Sequence, residues 1–380
     1  MNIKKKILFI TNIIAPYMHD FFENLAKYPE IDFTVAACAY REPDREWNID
    51  YLKNASYKYK ILEDTKLIKI PFQNRFFYLG GFSLIEDIIL NNYSTIIFKG
   101  GTRFIGPFYA LASKIWGKKA VLWEEDNLSG ATLLKSIVKP LYINNFMFSG
   151  FIAYGTKVRE FLETMNSGIS DKIHFAYSPV DNNKYRQRYL KLKHKKSLIK
   201  KALGINEKKK VILYVGRFVK EKNPFTLINA VDRIRKKKKN IICIFVGGGN
   251  LDFQIKSYII EKGLQDFVQL VPFQQFKKLT LYYSIADVFV LPSIVEPWGL
   301  VVNEAMNFNL PVIVSDKVGC SYDLVKNNYN GYIFPYMDSE KLAENIIKAC
   351  NNSETLGRNS YQIIRDKDFD QVCKTIIAAS

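Results

Sequence analysis

Two carboxylates, Glu296 and Glu304, stand eight residues apart in a segment that is otherwise mostly apolar. If the segment is helical, a rise of about 1.5 Å per residue separates them by about 12 Å along the axis. The two acids of a glycoside hydrolase lie about 5 to 9.5 Å apart, so this spacing argues against such a pair. The spacing suits two carboxylates that contact opposite ends of one extended ligand. Glu304 would bind a ribose diol, and Glu296 would face the group beyond the phosphates.

An anion site is predicted between these carboxylates. A strand is predicted to end at Pro292-Ser293, and Pro297 stands where the first residue of a helix is expected, with the helix running to about Phe308. The N–H groups at a helix start have no partner within the helix, and they attract anions. We therefore expect a phosphate to bind four main-chain amides, those of Trp298, Gly299, Leu300 and Val301.

The sequence contains no evident cluster of metal ligands. Asp366, Asp368 and Asp370 have D-x-D spacing, but they lie in the C-terminal tail. A helix surface explains them more simply, because an acidic pair needs further ligands to hold Mg²⁺. We expect that neither a metal nor another cofactor is required.

The secondary-structure elements that must position these residues alternate regularly along the sequence. Short apolar runs rich in β-branched residues alternate with amphipathic segments such as Phe225–Arg235 and Lys277–Ala286. The runs do not alternate in polarity, as expected for strands that are covered on both faces. The predicted strands are Lys6–Ile10, Phe33–Ala37, Thr95–Phe98, Ala120–Trp123, Phe151–Ala153, Ile173–Ala176, Val211–Val215, Ile241–Val246, Val268–Leu270, Val288–Leu291, Val312–Val314 and Tyr332–Phe334. Strand alternating with helix predicts an α/β fold with a doubly wound parallel sheet, and the pattern occurs twice.

A chain of 380 residues is expected to form two domains. We predict an N-terminal domain over 1–185, a basic linker over 186–209, a second domain over 210–365 and a C-terminal helix over 366–380 that packs on the N-terminal domain. A short helix plus linker and a basic surface segment both fit 186–209. Two facing domains of this kind would form a ligand cleft at the carboxyl ends of their strands.

Six short motifs in order resemble glycosyltransferase family 4, a family of retaining, nucleotide-sugar-dependent enzymes with the GT-B fold. Glu296-Pro-Trp-Gly-Leu-Val-Val-Asn-Glu304 resembles its E-x7-E signature, and Gly216-Arg217-Phe-Val-Lys-Glu-Lys222-Asn223 resembles its G-R-x4-K-N segment. The remaining matches are Val246–Gly249 (V-G-x-G), Tyr282–Ser293, Asn330-Gly331 and Ser178–Asp181 (N-P-V-D).

The resemblance implies two Rossmann-like domains and a donor site in the second one. Arg217 and Lys222 would grip the nucleotide diphosphate and act in catalysis together with Glu296. A leaving diphosphate gains negative charge, which an arginine fork, a lysine and helix amides can stabilise without a metal. The donor site would also contain Gly216 and Gly249, with main-chain contacts to the base near Phe273 and Gln274.

We expect the N-terminal half to bind the acceptor substrate. The turn Thr11–Tyr17 lacks glycine and resembles a T-N-x-x-x-P-Y variant of family members that build surface polysaccharides, and Asp44–Trp47 fits the same group. His19 is a candidate for a direct role, and a structural role is the alternative. Gly100, Gly101, Glu124 and Glu125 would line the acceptor side, while an acceptor pyrophosphate would contact Lys99, Arg103, Lys135 and Lys139.

The chain is strongly basic, with 55 Lys+Arg against 37 Asp+Glu and a net charge of +18. Such a charge favours an anionic partner such as an anionic membrane, although a compositional bias of the source genome also explains it. The scattered cysteines fit a reducing compartment, and the first residues predict a strand rather than a signal peptide. We expect a cytoplasmic protein, peripheral on the inner face of the membrane.

The interpretation that follows is a hexosyltransferase that uses a nucleoside-diphosphate sugar. The expected acceptor is a glycan, carried on a lipid pyrophosphate, in surface polysaccharide or glycoconjugate synthesis. A GT-B epimerase is one alternative, and it would act without an acceptor. A basic nucleic-acid-binding protein is another, but the longest basic run contains no interleaved aromatic residues. The donor sugar, its base (uridine or guanosine), the acceptor and the linkage stay open.

Overall fold

The computed structural model describes residues 4–42, 49–69, 76–99, 105–125, 143, 146–177 and 179–380. The chain divides into two compact units. The first comprises Met1–Val180 together with Phe369–Ser380, and the second comprises Asp181–Asp368. Each unit has its own parallel sheet.

The first unit is built on a seven-stranded parallel sheet with the order β3-β2-β1-β6-β7-β8-β9. β4 and β5 form a separate antiparallel pair. The strands are β1 (Lys5–Thr11), β2 (Ile31–Ala37), β3 (Lys58–Ile61), β4 (Thr65–Lys69), β5 (Phe76–Gly80), β6 (Thr95–Lys99), β7 (Lys119–Glu124), β8 (Gly150–Ala153) and β9 (Ile173–Phe175). The helices described in this part are α1 (Pro16–Leu25), α2 (Ser83–Leu90), α3 (Gly106–Ile115) and α4 (Thr156–Met165).

The second unit has a six-stranded parallel sheet with the order β12-β11-β10-β13-β14-β15. Its strands are β10 (Lys210–Val215), β11 (Ile241–Val246), β12 (Val268–Val271), β13 (Val288–Leu291), β14 (Val312–Ser315) and β15 (Gly331–Phe334). Its helices are α5 (Asn182–Leu192), α6 (Lys196–Ala202), α7 (Pro224–Arg235), α8 (Asp252–Glu261), α9 (Phe276–Ile285), α10 (Leu300–Asn307), α11 (Ser321–Leu324), α12 (Ser339–Asn351) and α13 (Ser353–Ile364). Buried aliphatic and aromatic side chains of β10, β11 and α7 form the centre of its core.

The predicted α/β fold is confirmed, and every predicted strand is present within a residue or two of its predicted bounds. Sequence analysis missed β3, β4 and β5. β3 lies at the edge of its sheet and its side chains are largely half-buried or exposed, so the sequence Lys58–Ile61 lacks the continuous apolar pattern of a central strand. None of the helices in the described part of the chain combines the length and hydropathy that a bilayer-spanning segment needs.

The predicted linker 186–209 is wrong as a separate segment. Most of it forms the helices α5 and α6, which belong to the second unit. Arg188 donates from Nε to Thr280 Oγ1 at 2.9 Å, and Lys196 Nζ lies 3.0 Å from Asp287 Oδ1. The basic residues of this segment therefore include side chains that anchor it to its own unit.

The unit boundary falls at 180/181 rather than at 185, because Asp181 caps the start of α5 by accepting a hydrogen bond from the N–H of Lys184 at 2.9 Å. The C-terminal helix α14 (Phe369–Ala379) begins three residues later than the predicted 366. It belongs to the first unit, where Lys5 Nζ donates to the Ile377 carbonyl at 2.8 Å.

Candidate functional site

The candidate site of the second unit lies where the strand order reverses. From β10 the chain adds β11 and β12 on one side of the sheet, and then β13, β14 and β15 on the other. In open α/β sheets, ligands bind at the carboxyl ends of the strands at such a reversal. The two motifs that follow β10 and β13 therefore meet at this edge.

Lys222 and Glu296 form an ion pair at this edge, between Nζ and Oε2. The side chains are only 18% and 10% exposed, respectively. Lys222 ends a single 3-10 turn, Lys220–Lys222, and Asn223 follows it with a φ of 50°. Asn223 Nδ2 donates to the Pro292 carbonyl at 3.2 Å, which ties this turn to the loop after β13.

The loop that carries Glu296 is also held from its other side. The N–H of Gly319 donates to the Glu296 carbonyl at 2.9 Å, and the N–H of Cys320 donates to the Trp298 carbonyl at 3.0 Å. The N–H of Ile294 donates to the Glu221 carbonyl at 2.8 Å. The Glu296 main chain is thus fixed between the loops that follow β10 and β14.

Arg217 follows β10 directly, beside Gly216. The hydroxyl of Tyr214 donates to the Arg217 carbonyl at 2.9 Å and so orients this turn. Burial and the nearby Glu296 carboxylate raise the pKa of Tyr214, and the Arg217 guanidinium opposes that rise. The structure therefore gathers the three predicted catalytic residues, Arg217, Lys222 and Glu296, at one edge of the sheet.

Gly249 lies in the turn after β11, and its backbone packs against the loop that follows β10. A Cβ atom at Gly249 would lie 2.5 Å from the Phe218 carbonyl oxygen, which excludes a larger residue. The N–H of Gly249 donates to Asp252 Oδ1 at 2.9 Å. The packing of these two loops is thus sufficient to explain the glycine, and the predicted donor contact of Gly249 stays a prediction.

The predicted helix start at Pro297 is wrong, because α10 begins at Leu300. Gly299 is the N-cap, with φ 102° and ψ 61°. Glycine adopts this left-handed conformation easily, and the helix therefore starts after Gly299 although proline favours the first helical turn. Of the four amides predicted to bind phosphate, those of Leu300 and Val301 lie in the first turn of the helix. Trp298 and Gly299 precede the helix, and the Trp298 ring is buried, with Nε1 donating to Asn303 Oδ1 at 3.0 Å.

Glu304 lies inside α10, so only the second half of the segment from Glu296 is helical and the estimate of about 12 Å does not hold. Its Oε2 accepts a hydrogen bond from the Tyr283 hydroxyl at 2.8 Å. Burial raises the pKa of Glu304 to about 7, although hydrogen bonds from Tyr283 and Tyr185 partly offset the rise. A ligand that donates hydrogen bonds to the ionised carboxylate would oppose this effect of burial.

Phe273 and Gln274 follow β12, at the outer end of the same edge. β12 is two strands away from β10, roughly 10 Å at ordinary strand spacing. The Phe273 side chain is exposed, and Gln274 Nε2 donates to the Pro272 carbonyl at 3.0 Å. Their predicted contacts to a base stay a prediction.

Predicted acceptor residues also lie together, at the carboxyl ends of β6 and β7 in the first unit. Lys99 ends β6 and is buried, with Nζ 3.5 Å from Glu125 Oε2 and 3.3 Å from the Tyr17 hydroxyl. Glu124 ends β7, is buried, and accepts a hydrogen bond from the N–H of Glu125 at 3.0 Å. Lys99 and Glu125 therefore balance each other's charge in this structure.

His19 lies on α1, where its Nδ1 is 3.0 Å from the Tyr57 hydroxyl and 4.0 Å from Glu23 Oε1. Its ring also packs near Tyr51, with centroids 4.8 Å apart. These contacts fit the structural alternative for His19 as well as a direct role. The other predicted acceptor residues, and the motif Asp44–Trp47, lie outside the described residues: they are Gly100, Gly101, Arg103, Lys135 and Lys139.

Within the described ranges, no three His, Cys, Asp or Glu side chains converge in a way that could hold a metal ion. Asp370, one of the acids with D-x-D spacing, pairs with Lys374 at 2.7 Å and accepts a hydrogen bond from Tyr28. Independence from metal stays a prediction.

Sequence analysis missed the residues that orient the site rather than form it. Tyr214 holds the turn of Arg217, while Tyr283 and Tyr185 surround Glu304. Tyr283 lies within the Tyr282–Ser293 motif, but nothing in its spacing pairs it with Glu304, because the partners are brought together by the packing of α9 and α10.

Residues 195–365, nearly all of the second unit, match the family model of glycosyl transferases group 1. The match covers less than half of the chain, and the doubly wound parallel sheets show that the chain has the GT-B fold.

Two curated relatives and one solved structure illustrate the similarity. The uncharacterized glycosyltransferase MJ1607 of Methanocaldococcus jannaschii is 31% identical over 137 residues, which is 36% of this chain and 35% of that protein. The capsular polysaccharide biosynthesis glycosyltransferase CapM of Staphylococcus aureus is 29% identical over 216 residues, covering 56% of this chain and 52% of CapM. The chain thus spans about a third to a half of the length of these relatives.

The fold resembles that of Anabaena HepE, which was crystallised with UDP-glucose. The two structures superpose with a TM-score of 0.75 over 98% of each chain, at 20% identity. At this identity the likeness supports the fold alone.

Proposed function

We propose that the protein is a retaining hexosyltransferase that moves a sugar from a nucleoside-diphosphate sugar to a glycan acceptor. The observation that carries the proposal is the meeting of Arg217, Lys222 and Glu296 at the point where the strand order of the second sheet reverses. Two cations and a carboxylate at this edge suit a ligand that is anionic at its diphosphate and rich in hydroxyl groups at its sugar.

The cations would stabilise the leaving diphosphate. Lys222 supplies an ammonium, Arg217 a planar guanidinium, and the first turn of α10 supplies the amides of Leu300 and Val301. These groups are fixed before the reaction, so they can stabilise the charge that develops as the glycosidic bond breaks. We propose that they replace a divalent cation.

The carboxylates would bind the two ends of the donor. Glu296 lies beside Lys222 and would contact the transferred sugar, while Glu304 would accept hydrogen bonds from the ribose hydroxyls. We propose UDP as the nucleotide. The UDP and UDP-glucose complexes of HepE support this choice, because HepE shares the fold.

The proposed process is the synthesis of surface polysaccharide or a related glycoconjugate. Support comes from CapM, whose name assigns it to capsular polysaccharide biosynthesis. The proposal extends to an acceptor on a lipid pyrophosphate and to a cytoplasmic location at the inner face of the membrane. The five buried cysteines are free thiols, which suits a reducing compartment.

A transfer assay tests the reaction. The purified protein is incubated with UDP-sugars or GDP-sugars in EDTA, with and without a polyprenyl-pyrophosphate glycan, and the released nucleoside diphosphate is measured. We expect release that depends on the acceptor, and a product whose anomeric configuration by NMR equals that of the donor. Conversion of the nucleotide sugar without any acceptor would instead indicate an epimerase, and an inverted product would refute retention.

A further inference from the structure

Helix α3 of the first unit presents an apolar stripe to solvent. Phe108, Leu111 and Ile115, at positions i, i+3 and i+7, are 57%, 40% and 64% exposed, and Trp116 at the C-cap is 47% exposed. Residues spaced in this way lie on one face of a helix. Single exposed apolar side chains are ordinary, but four on one helix form a contiguous patch that marks an interaction surface.

The opposite face of α3 is already used by the fold. Tyr109, Ala110, Ala112 and Ser113 are buried, and the Tyr109 hydroxyl donates to the Gly81 carbonyl at 2.7 Å. The helix is therefore fixed in place with its second apolar face turned outward. A surface helix normally carries polar residues on that face, so the stripe is not required by the core.

Helix α3 and the residues that follow it carry only positive charge, while the neighbouring helix α2 carries Glu86 and Asp87. Lys118 donates to the carbonyls of Ile88 and Asn91, and Lys119 donates to that of Ser380. The helix Gly106–Ile115 contains no carboxylate, and Lys114 is followed by Lys118 and Lys119. The Lys114 ammonium donates to the Phe146 carbonyl at 2.9 Å and lies 3.5 Å from the centre of the Phe146 ring. Phe146 is 63% exposed, so it adds a fifth apolar side chain beside the stripe.

Helix α8 of the second unit shows that apolar exposure alone does not define such a surface. It also exposes a phenylalanine and an isoleucine seven residues apart, Phe253 at 78% and Ile260 at 64%. However, this helix begins with Asp252 and ends with Glu261. These carboxylates, each next to one of the apolar residues, offset Lys256 and Lys262, so this helix lacks the net positive charge that an anionic surface attracts.

We propose that the α3 stripe, formed by Phe108, Leu111, Ile115, Trp116 and Phe146, binds the surface of an anionic lipid bilayer. The apolar side chains enter the boundary between headgroups and acyl chains, where aromatic rings are favoured, and the neighbouring lysines contact lipid phosphates. This inference deepens the proposed location at the inner face of the membrane, and it does not depend on the proposed reaction, because the stripe contains none of the residues assigned to donor or acceptor.

Sedimentation with vesicles tests the proposal and needs neither donor nor acceptor. Vesicles of phosphatidylglycerol and phosphatidylcholine are compared with vesicles of phosphatidylcholine alone. We expect binding to the anionic vesicles, and a loss of at least about tenfold in the partition coefficient for F108S/I115S. The matched variant F253S/I260S has the same residue types and spacing on α8, and we expect it to bind like the parent protein.

A second readout places the contact at α3. In a W47F background, emission from Trp116 should shift to shorter wavelength when anionic vesicles are added, and W116F in the same background should abolish the shift because Trp123 and Trp298 are buried. Circular dichroism and thermal melts check that each variant is folded. Equal vesicle binding by F108S/I115S and the parent, or equal loss in F253S/I260S, would overturn the proposal. So would a change in F108S/I115S from dimer to monomer with vesicle binding unaltered, which would assign the stripe to a second copy of the chain.

Discussion

The Lys222 ammonium contacts the Glu296 carboxylate, although 74 residues separate them in the sequence. The contact joins the loop after β10 to the loop after β13, on either side of the reversal in strand order. A half-buried lysine that already faces a carboxylate is held in place before a ligand arrives. An incoming diphosphate would compete with Glu296 for this ammonium.

The first prediction concerns Lys222. K222A should weaken nucleoside-diphosphate binding by about 2–5 kcal/mol, because the variant loses a cation that faces the diphosphate in a partly buried site. Titration calorimetry with UDP and GDP measures the loss. K341A is the matched control, because Lys341 forms an ion pair with Glu344 at 3.1 Å that is well exposed. Equal affinities of K222A and K341A would contradict the assignment.

The second prediction separates binding from turnover at Glu296. E296Q keeps the shape of the side chain but removes the negative charge that competes with a diphosphate for Lys222. We expect E296Q to bind the nucleoside diphosphate at least as tightly as the parent, while sugar transfer falls severely because the sugar-facing carboxylate is lost. Calorimetry and the transfer assay are run on the same preparation. Normal transfer by E296Q would remove Glu296 from the mechanism.

The third prediction is a pH dependence set by Glu304. Its pKa of about 7 lies above the ordinary 4.5. In the free protein the carboxyl group is therefore mostly protonated between pH 4.5 and 7, where an ordinary glutamate is mostly ionised. Ribose hydroxyls donate to the ionised form, so binding should strengthen as the pH rises through 7 and level off above it. A nucleotide sugar is the right ligand, because its phosphates do not titrate in this range. A profile in E304Q that still rises through pH 7 would assign the titration to another group.

The fourth prediction uses the hydroxyl of Tyr283. It donates to Glu304 at 2.8 Å and lowers the pKa of this carboxyl group against the effect of burial. Y283F should therefore raise the pKa, and the midpoint of the binding profile should move to higher pH. Y282F is the control, since Tyr282 is the adjacent buried tyrosine and no hydrogen bond joins it to Glu304. If both variants shift the midpoint equally, the effect is not due to this hydrogen bond.

The sequence predicts the fold well because both sheets consist of continuous apolar runs, which local pattern identifies. The motifs also predict that Lys222 and Glu296 share one site. The structure brings them together because the carboxyl ends of parallel strands meet at one edge of the sheet. The start of α10 was missed because proline at a first helical turn is a local preference. The left-handed Gly299 and the loop after β14, packed on Glu296 and Trp298, override that preference.

A short helix is one of the alternatives that the sequence offers for 186–209, but the packing of this segment onto the second unit is not predictable because its contacts are distant in sequence. Lys196 looks like part of a solvated basic run, yet its partner is Asp287, 91 residues away. The partners of Glu304 were missed for the same reason, because the packing of whole helices determines them. Residue types and spacing identify which groups can do chemistry, whereas their orientation and protonation depend on this packing.

The most direct test of the account is calorimetric titration of UDP and UDP-glucose into the protein in the presence of EDTA. We expect saturable binding that EDTA does not reduce and that R217A and K222A each weaken strongly. If neither UDP nor GDP nor their sugars bind, or if EDTA abolishes the binding, the metal-free diphosphate site at Arg217 and Lys222 is contradicted.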